Sequence, residues 1–245
     1  MSAPTGRRES RTALATRTWL ANSTPRATLL GGITTAVAFA LAAPAANVAA
    51  QDRGGEVIDE AALLYESVDT LCADFVQTLE IPLLGDEHTG SGRLCQARPN
   101  LFAMRFVDPA GDAVVADGEA VWVYFPSSDP RTVVRTGPDR AAGGHDFHRE
   151  FLVDTEEKYA VTYEAEDRVG DHVTHRLQLV PRGPASYRSA TVWIDRGEPV
   201  LRQIRIEEEN GNVRTITLEN VDFRAAPAAG WFTFTPPAGA RVIEG

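Results

Sequence analysis

The chain reads as a mostly β protein with few helices, a single antiparallel meander curled into a barrel or half-barrel. Three observations carry that reading. Apolar and polar residues alternate with period two through most of the chain after position 70. Turn signals such as Asp108-Pro109-Ala110-Gly111, Asp117-Gly118, Asp195-Arg196-Gly197 and Asn210-Gly211-Asn212 separate the alternating runs. One stretch alone, 56–69, repeats apolar residues at a convincing helical spacing. A large sheet with so little helix to cover it must close on itself or hold something.

In the helix, Val57, Ala61, Leu64 and Val68 recur three to four residues apart, with Ile58 and Tyr65 beside them. In the first strand Phe75, Gln77 and Leu79 share one face. Further strands are expected at 92–97, 102–107, 113–116, 120–125, 131–135, 159–164, 173–180, 188–194, 201–208 and 213–221. The rhythm breaks from 137 to 154, where a polar stretch at 146–152 is expected to form a short helix over one opening. No second domain or internal repeat is visible.

The first fifty residues stand apart. Five arginines and one acid precede an apolar run from Leu29 to Ala43, and Val48-Ala49-Ala50 offers small residues before Gln51. Charge, apolar core and small-residue site, in that order, predict a signal peptide over 1–50 and a single domain over 51–245. Export to the periplasm as a soluble protein follows, and no cysteine after the leader marks it for lipidation. The formal charge of −10 becomes about −14 without the leader. That balance argues against a nucleic-acid partner, which rewards basic surfaces.

Two cysteines remain, Cys72 and Cys95, on strand-like runs either side of Ile81-Pro82-Leu83-Leu84-Gly85. A hairpin turning at Leu83-Leu84 sets them opposite one another, so a structural disulfide is expected.

The search for catalysis returns nothing. There is no nucleophile elbow, no metalloprotease helix and no phosphate-cradling glycine loop. His145 and His148 have helical spacing but lack a third ligand, so they read as a polar loop or helix face. His172 and His175 point to opposite faces of a strand, and His88 beside the first hairpin is expected to be exposed. The runs Glu156-Glu157 and Glu207-Glu208-Glu209 read as solvated faces. No cofactor and no metal is implied, and an enzyme is not expected. The apolar inventory is richer: Phe102, Met104 and Phe106 share a strand face, as do Trp122 with Tyr124 and Leu177 with Leu179. On a curved sheet such faces fill a core or line a cavity that accepts an acyl chain.

With those pieces in place, the chain resembles the periplasmic outer-membrane lipoprotein carrier (LolA) family. The resemblance rests on Ala73-Asp74-Phe75-Val76-Gln77-Thr78, Gly90-Ser91-Gly92-Arg93-Leu94, Arg98-Pro99-Asn100-Leu101-Phe102, Asp117-Gly118 with Val121-Trp122-Val123-Tyr124, and the closing Phe232-Thr233-Phe234-Thr235-Pro236-Pro237. It implies an unclosed antiparallel β-barrel covered by a helical lid, with a hydrophobic cavity between. It also implies acylated lipoproteins as cargo, an inner-membrane lipoprotein-releasing ABC transporter as donor, and an outer-membrane acceptor or the membrane itself as destination. The chain is expected to act as a monomer. Carried over, Arg98 is the latch that holds the helical lid through hydrogen bonds. Phe75, Phe102, Met104, Phe106, Trp122, Tyr124, Leu177 and Leu179 become the lipid-binding cavity. One departure stands out, since the lid region 141–154 here is charged and carries histidines where the family has an apolar stretch. A carrier of another lipid or glycolipid, or a periplasmic lipid-sensing regulatory module on the same fold, are the alternative readings.

Overall fold

The computed structural model describes residues 44–137 and 146–245, with side chains from residue 52 onward. The expected signal peptide lies outside the described residues as far as position 43. Helix α1 (Pro44–Glu66) is followed by β1 (Thr70–Ile81), β2 (Asp86–Ala97), β3 (Leu101–Asp108), β4 (Ala113–Ala116), β5 (Val121–Tyr124) and β6 (Thr132–Thr136). Two short helices come next, α2 (Phe147–Leu152) and α3 (Thr155–Lys158). Strands β7 (Tyr159–Val169), β8 (His172–Pro181), β9 (Tyr187–Asp195), β10 (Leu201–Glu208), β11 (Val213–Asp222) and β12 (Arg241–Glu244) complete the chain.

All twelve strands form one sheet in the order β12-β6-β5-β4-β3-β2-β1-β11-β10-β9-β8-β7, and the ends do not meet. The expected antiparallel meander is present, with one parallel pair, β12 on β6, that the alternation did not reveal. The sheet is strongly curled, and α2 shows it. Phe147 stands 6.2 Å from Phe102 of β3 and Phe151 stands 6.2 Å from Tyr187 of β9. In a flat sheet those strands, five steps apart, would lie about 24 Å from one another. A helix of six residues bridges them only because the walls curve toward it.

The longest hairpin joins β1 to β2 in unbroken register from Thr70↔Ala97 to Ile81↔Asp86, so Cys72 falls opposite Cys95. The two sulfurs are bonded at 2.04 Å. Strand β2 begins six residues before the expected start, because pairing to β1 recruits the polar run from Asp86 to Ser91 that has no alternation of its own. Gly90 and Gly92 admit the neighbouring strand. A Cβ on Gly90 would lie 2.9 Å from the Phe106 ring, and one on Gly92 would lie 2.1 Å from the Arg105 carbonyl oxygen.

Helix α1 is longer at its start and three residues shorter at its end than the periodicity implies. At Gly54 a Cβ would meet Val161 of β7 at 2.9 Å, so the bare backbone lets helix and strand touch. The helix stops where the Ser67 hydroxyl turns back to the Leu64 carbonyl at 2.6 Å. Of the marked stripe Val57 and Ala61 are buried with Ile58 and Tyr65 beside them, Leu64 is half-buried, and Val68 lies beyond the helix end.

Behind the sheet, the last segment of the chain lies across its outer face. Trp231, Phe232 and Phe234 cover Ala103, Ala113 and Val115. Arg105 fixes this strap by donating to the carbonyls of Trp231 (3.0 and 3.1 Å) and Thr233 (2.8 Å).

Two outcomes check these contacts. Gly92→Ala forces β3 away from β2 and is expected to destabilise the fold by about 1–3 kcal/mol; a urea midpoint equal to that of the parent would contradict the close approach. Replacing both cysteines by serine opens a loop spanning 23 residues and should remove about 3 kcal/mol, read from the same denaturation.

Candidate functional site

Alternation on the curled sheet delivers one continuous apolar concave face. Phe75 of β1, Phe102 and Met104 of β3, and Leu177 and Leu179 of β8 all lie buried in a single cluster with Phe147 and Phe151 of α2. Phe106 is half-buried on the edge of that cluster, 4.9 Å from the Phe75 ring. Six of the eight residues expected to line a cavity therefore face the concavity. Trp122 and Tyr124 do not. On β5 it is Val121 and Val123 that join the inner cluster, so their neighbours point outward. Both aromatic rings pack 5.8 Å from Phe234 of the outer strap, and the Trp122 indole donates to Asp117 Oδ2 at 2.7 Å.

Among the described residues, clefts open at two places along the concavity. The wider, about 560 Å³, lies between Leu79, Met104, Phe106, Val114, Phe125 and Phe147, with polar residues at its rim. The narrower, about 340 Å³, lies between the end of α1 and α2, bounded by Tyr65, Val68, Leu71, Arg98, His148 and Leu152. Leu79, Phe125 and the α2 aromatics were missed as site residues. The signal for α2 was present, because Phe147 and Phe151 are spaced i,i+4 in the stretch expected to be helical.

Arg98 sits at the start of the β2–β3 turn and reaches the carboxyl end of α1. Its Nε donates to the Val68 carbonyl at 2.9 Å, its Nη2 to the Tyr65 carbonyl at 2.7 Å, and its backbone N–H to Asp69 at 2.9 Å. The Tyr65 carbonyl, which also accepts from the Val68 N–H at 3.3 Å, and those of Val68 and Asp69 just past the helix lie at the negative end of its dipole, where a guanidinium fork fits.

The segment read as a polar lid is apolar on the side that matters. Asp146 caps α2 by accepting from the Arg149 N–H at 3.1 Å, and Phe147, Phe151 and Leu152 enter the core. His148 is only 3 % exposed, which corrects its expected place on a polar face. It lies over Tyr65 at 3.9 Å between ring centroids, and its Nδ1 is 2.5 Å from Gln96 Oε1. Its Nε2 has no hydrogen-bond partner among the described residues. Burial lowers its pKa from 6.5 to about 3, so the ring is neutral. His145 lies outside the described residues.

The far side of α2 is tied to the sheet by a carboxylate. Glu150 Oε1 accepts from Tyr159 at 2.5 Å and Tyr187 at 2.6 Å, and the two phenol oxygens are 2.5 Å apart. Burial, then the Glu150 carboxylate, pushes both phenols well above their usual range. Lys158 adds two bonds of 3.0 Å to the carbonyls of Arg149 and Glu150 at the end of α2.

The other histidines fall as the sequence placed them. His88 is exposed beside Asp86 at 3.3 Å. His172 pairs with Asp195 at 2.6 Å, while His175 approaches the Tyr163 hydroxyl at 3.3 Å. Among the described residues, no cluster of three or more His, Cys, Asp or Glu side chains is placed to hold a metal ion.

Comparison with known proteins agrees with this geometry. A family model described as outer membrane lipoprotein carrier protein LolA matches residues 66–235. The outer-membrane lipoprotein carrier protein of Alkalilimnicola ehrlichii is 28 % identical over 195 residues, covering 74 % of this chain and 80 % of its own. That of Neisseria meningitidis serogroup B is 24 % identical over 205 residues, covering 83 % and 95 %. Among solved structures, an uncharacterized conserved protein from Thermus thermophilus shares the fold with a TM-score of 0.50 at 15 % identity, over 77 % of this chain and 97 % of that one.

His148 supplies a pH test. The unfolded chain takes up a proton below about pH 6.5 that the folded ring refuses until about pH 3. The contribution of the neutral ring is therefore complete above pH 6.5 and is lost as pH falls through that window, by roughly a few kcal/mol. Subtracting the stability of His148→Phe from that of the parent across pH 7 to 3 should isolate this slope. Parallel curves would show that burial of the ring is not coupled to its protonation.

Proposed function

The chain belongs to the outer membrane lipoprotein carrier protein LolA family, and on that premise we propose that it is a non-catalytic periplasmic carrier that shields the acyl chains of lipoproteins in its concavity. The observation that carries the reading is the continuous apolar concave face, bordered by the wider cleft and filled by the inner stripe of α1 and the aromatic pair of α2. In this reading the inner-membrane ABC transporter loads the concavity, and an outer-membrane acceptor, or the membrane, empties it.

Energetics favour a displaceable helix. Each acyl methylene brought out of the bilayer needs about 0.8 kcal/mol of replacement burial. Phe147 and Phe151 leaving the core would give up about 1.5–3 kcal/mol apiece, and acyl carbons taking their place would recover it. Loading is then an exchange of one apolar filling for another. That keeps net affinity moderate, as delivery requires. Arg98, by holding the end of α1 against the β2–β3 turn, sets how readily the helices part.

The deciding experiment is native mass spectrometry of the exported protein offered a triacylated lipoprotein in detergent. A one-to-one complex that survives detergent removal supports the carrier; a folded protein that never retains lipoprotein would sink it. Phe102 is too deeply packed to serve as a probe, since a charge there attacks the core itself. Phe106, half-buried at the cleft, is the better position: Phe106→Glu is expected to weaken acyl binding at least tenfold with the fold retained by circular dichroism. Arg98→Leu should speed lipid entry and exit severalfold while costing about 1–2 kcal/mol of stability; unaltered exchange rates in stopped-flow fluorescence would remove the latch role.

A further inference from the structure

We propose that the rim of the wider cleft is a subsite for the neutral, carbonyl-bearing head of an acyl ligand, an ester or an amide, with Arg214 as its hydrogen-bond donor. The inference rests on the concavity being an acyl site, and it adds which head groups that site accepts.

The pattern along β1 carries the argument. Phe75, Gln77 and Leu79 share the inner face, so the lining stops being purely apolar at Gln77 on moving from the buried interior to the mouth. Cross-strand pairing widens that change. Phe75 stands opposite Leu218 and Gly92, whereas Leu79 stands opposite Arg214 on one side and His88 on the other. Directly opposed residues in an antiparallel ladder project to the same face. Arg214, His88 and Gln77 therefore form a polar border to an apolar bed, and all three line the cleft. This is the complement of an amphiphile whose chain enters first.

Arg214 is held ready for an acceptor. Its Nη2 donates to Glu208 Oε1 at 3.0 Å, and the other oxygen of Glu208 is steadied by the side chains of Asn210 and Asn212 at 3.3 and 3.4 Å. Its Nε is buried and has no partner among the described residues. A buried guanidinium N–H without an acceptor is costly. A small rotation of the guanidinium would present that donor to a carbonyl oxygen at the rim.

Charge decides which acceptor. Glu208 already neutralises Arg214, Asp86 stands 3.3 Å from His88, and Glu87, Asp108 and Asp112 add three further carboxylates to the lining. A phosphate or a free carboxylate would meet net negative potential there. An ester or amide carbonyl accepts the same bond without bringing charge. Such carbonyls occur both in glycerides and at the acylated amino terminus of a polypeptide.

Four probes with the full exported chain test this at pH 8: diphenylhexatriene as an apolar reporter, 1-monopalmitoylglycerol, palmitoyl-glycinamide, and palmitate. The proposal expects both neutral ligands to bind more tightly than palmitate. It also expects Arg214→Met to weaken them about tenfold more than it weakens diphenylhexatriene, the value of one charged hydrogen bond. The larger loss identifies ester or amide as the natural head. Glu208→Gln, which unmasks the guanidinium, should move the preference toward palmitate and serves as the check if Arg214→Met folds poorly. Equal losses for all probes, no loss, or a preference of the parent for palmitate would overturn the subsite while leaving the acyl concavity intact. Failure of the parent to bind any of the four would overturn both.

Discussion

An antiparallel sheet that curls without closing must have its concavity filled, and in this chain the filling is the pair Phe147 and Phe151 on a helix of six residues. Everything else in the site depends on that insertion. The aromatic pair joins walls that are five strands apart in the sheet. Remove it, and the walls at Phe102 and Tyr187, which the pair touches, would open to water beside the part of the concavity that α1 covers. The helix is too short to be stable by itself, so its structure depends on the walls as much as their dryness depends on it. Such mutual dependence suits a site that alternates between two fillings.

The ties around this filling differ in kind from the filling itself. Beneath the helices the contacts are apolar and non-directional, and they accept any chain of similar shape. At the periphery they are hydrogen bonds: Arg98 to the end of α1, Glu150 to two tyrosines, Lys158 to the end of α2. His148 against Tyr65 joins the two helices, so a disturbance at one tie is felt at the other. Directional bonds hold one arrangement until it breaks, then contribute little. They supply the threshold, while the apolar face supplies the capacity.

How much of this was legible before any coordinates depends on which physical signal each feature leaves. Period-two alternation and turn residues located the strands, and β4 and β10 begin and end where alternation placed them. The disulfide was legible because a hairpin with its turn at Leu83-Leu84 allows only one register. Family resemblance offered Arg98 as a hydrogen-bonding latch of the lid without naming its partners; its bonds go instead to the carbonyls at the end of α1. Alternation pairs residues on a face but does not say which face is inner. On β5 that choice rests with Phe234, which arrives from the far end of the chain to cover Trp122 and Tyr124. The stretch around α2 was misread for a related reason. Its composition is charged, yet three apolar residues on one turn decide its burial. Strand β12 left no signal, since Arg241-Val242-Ile243-Glu244 does not alternate and its parallel partner is remote in sequence.

The two free borders of the sheet have a consequence beyond binding. A sheet that fails to close exposes two rows of unpaired backbone groups, each a template for another chain. Here one border is β12, four residues in which exposed Val242 and Ile243 lie between Arg241 and Glu244, the latter paired to Arg135 at 3.4 Å. The other is β7, which carries exposed Glu164, Glu166 and Arg168. A short, charged border on one side and a charge-studded one on the other make poor docking strips for a second copy. The molecule can thus hold its apolar interior partly open while the brevity of one border and the charge of the other limit strand pairing at its margins.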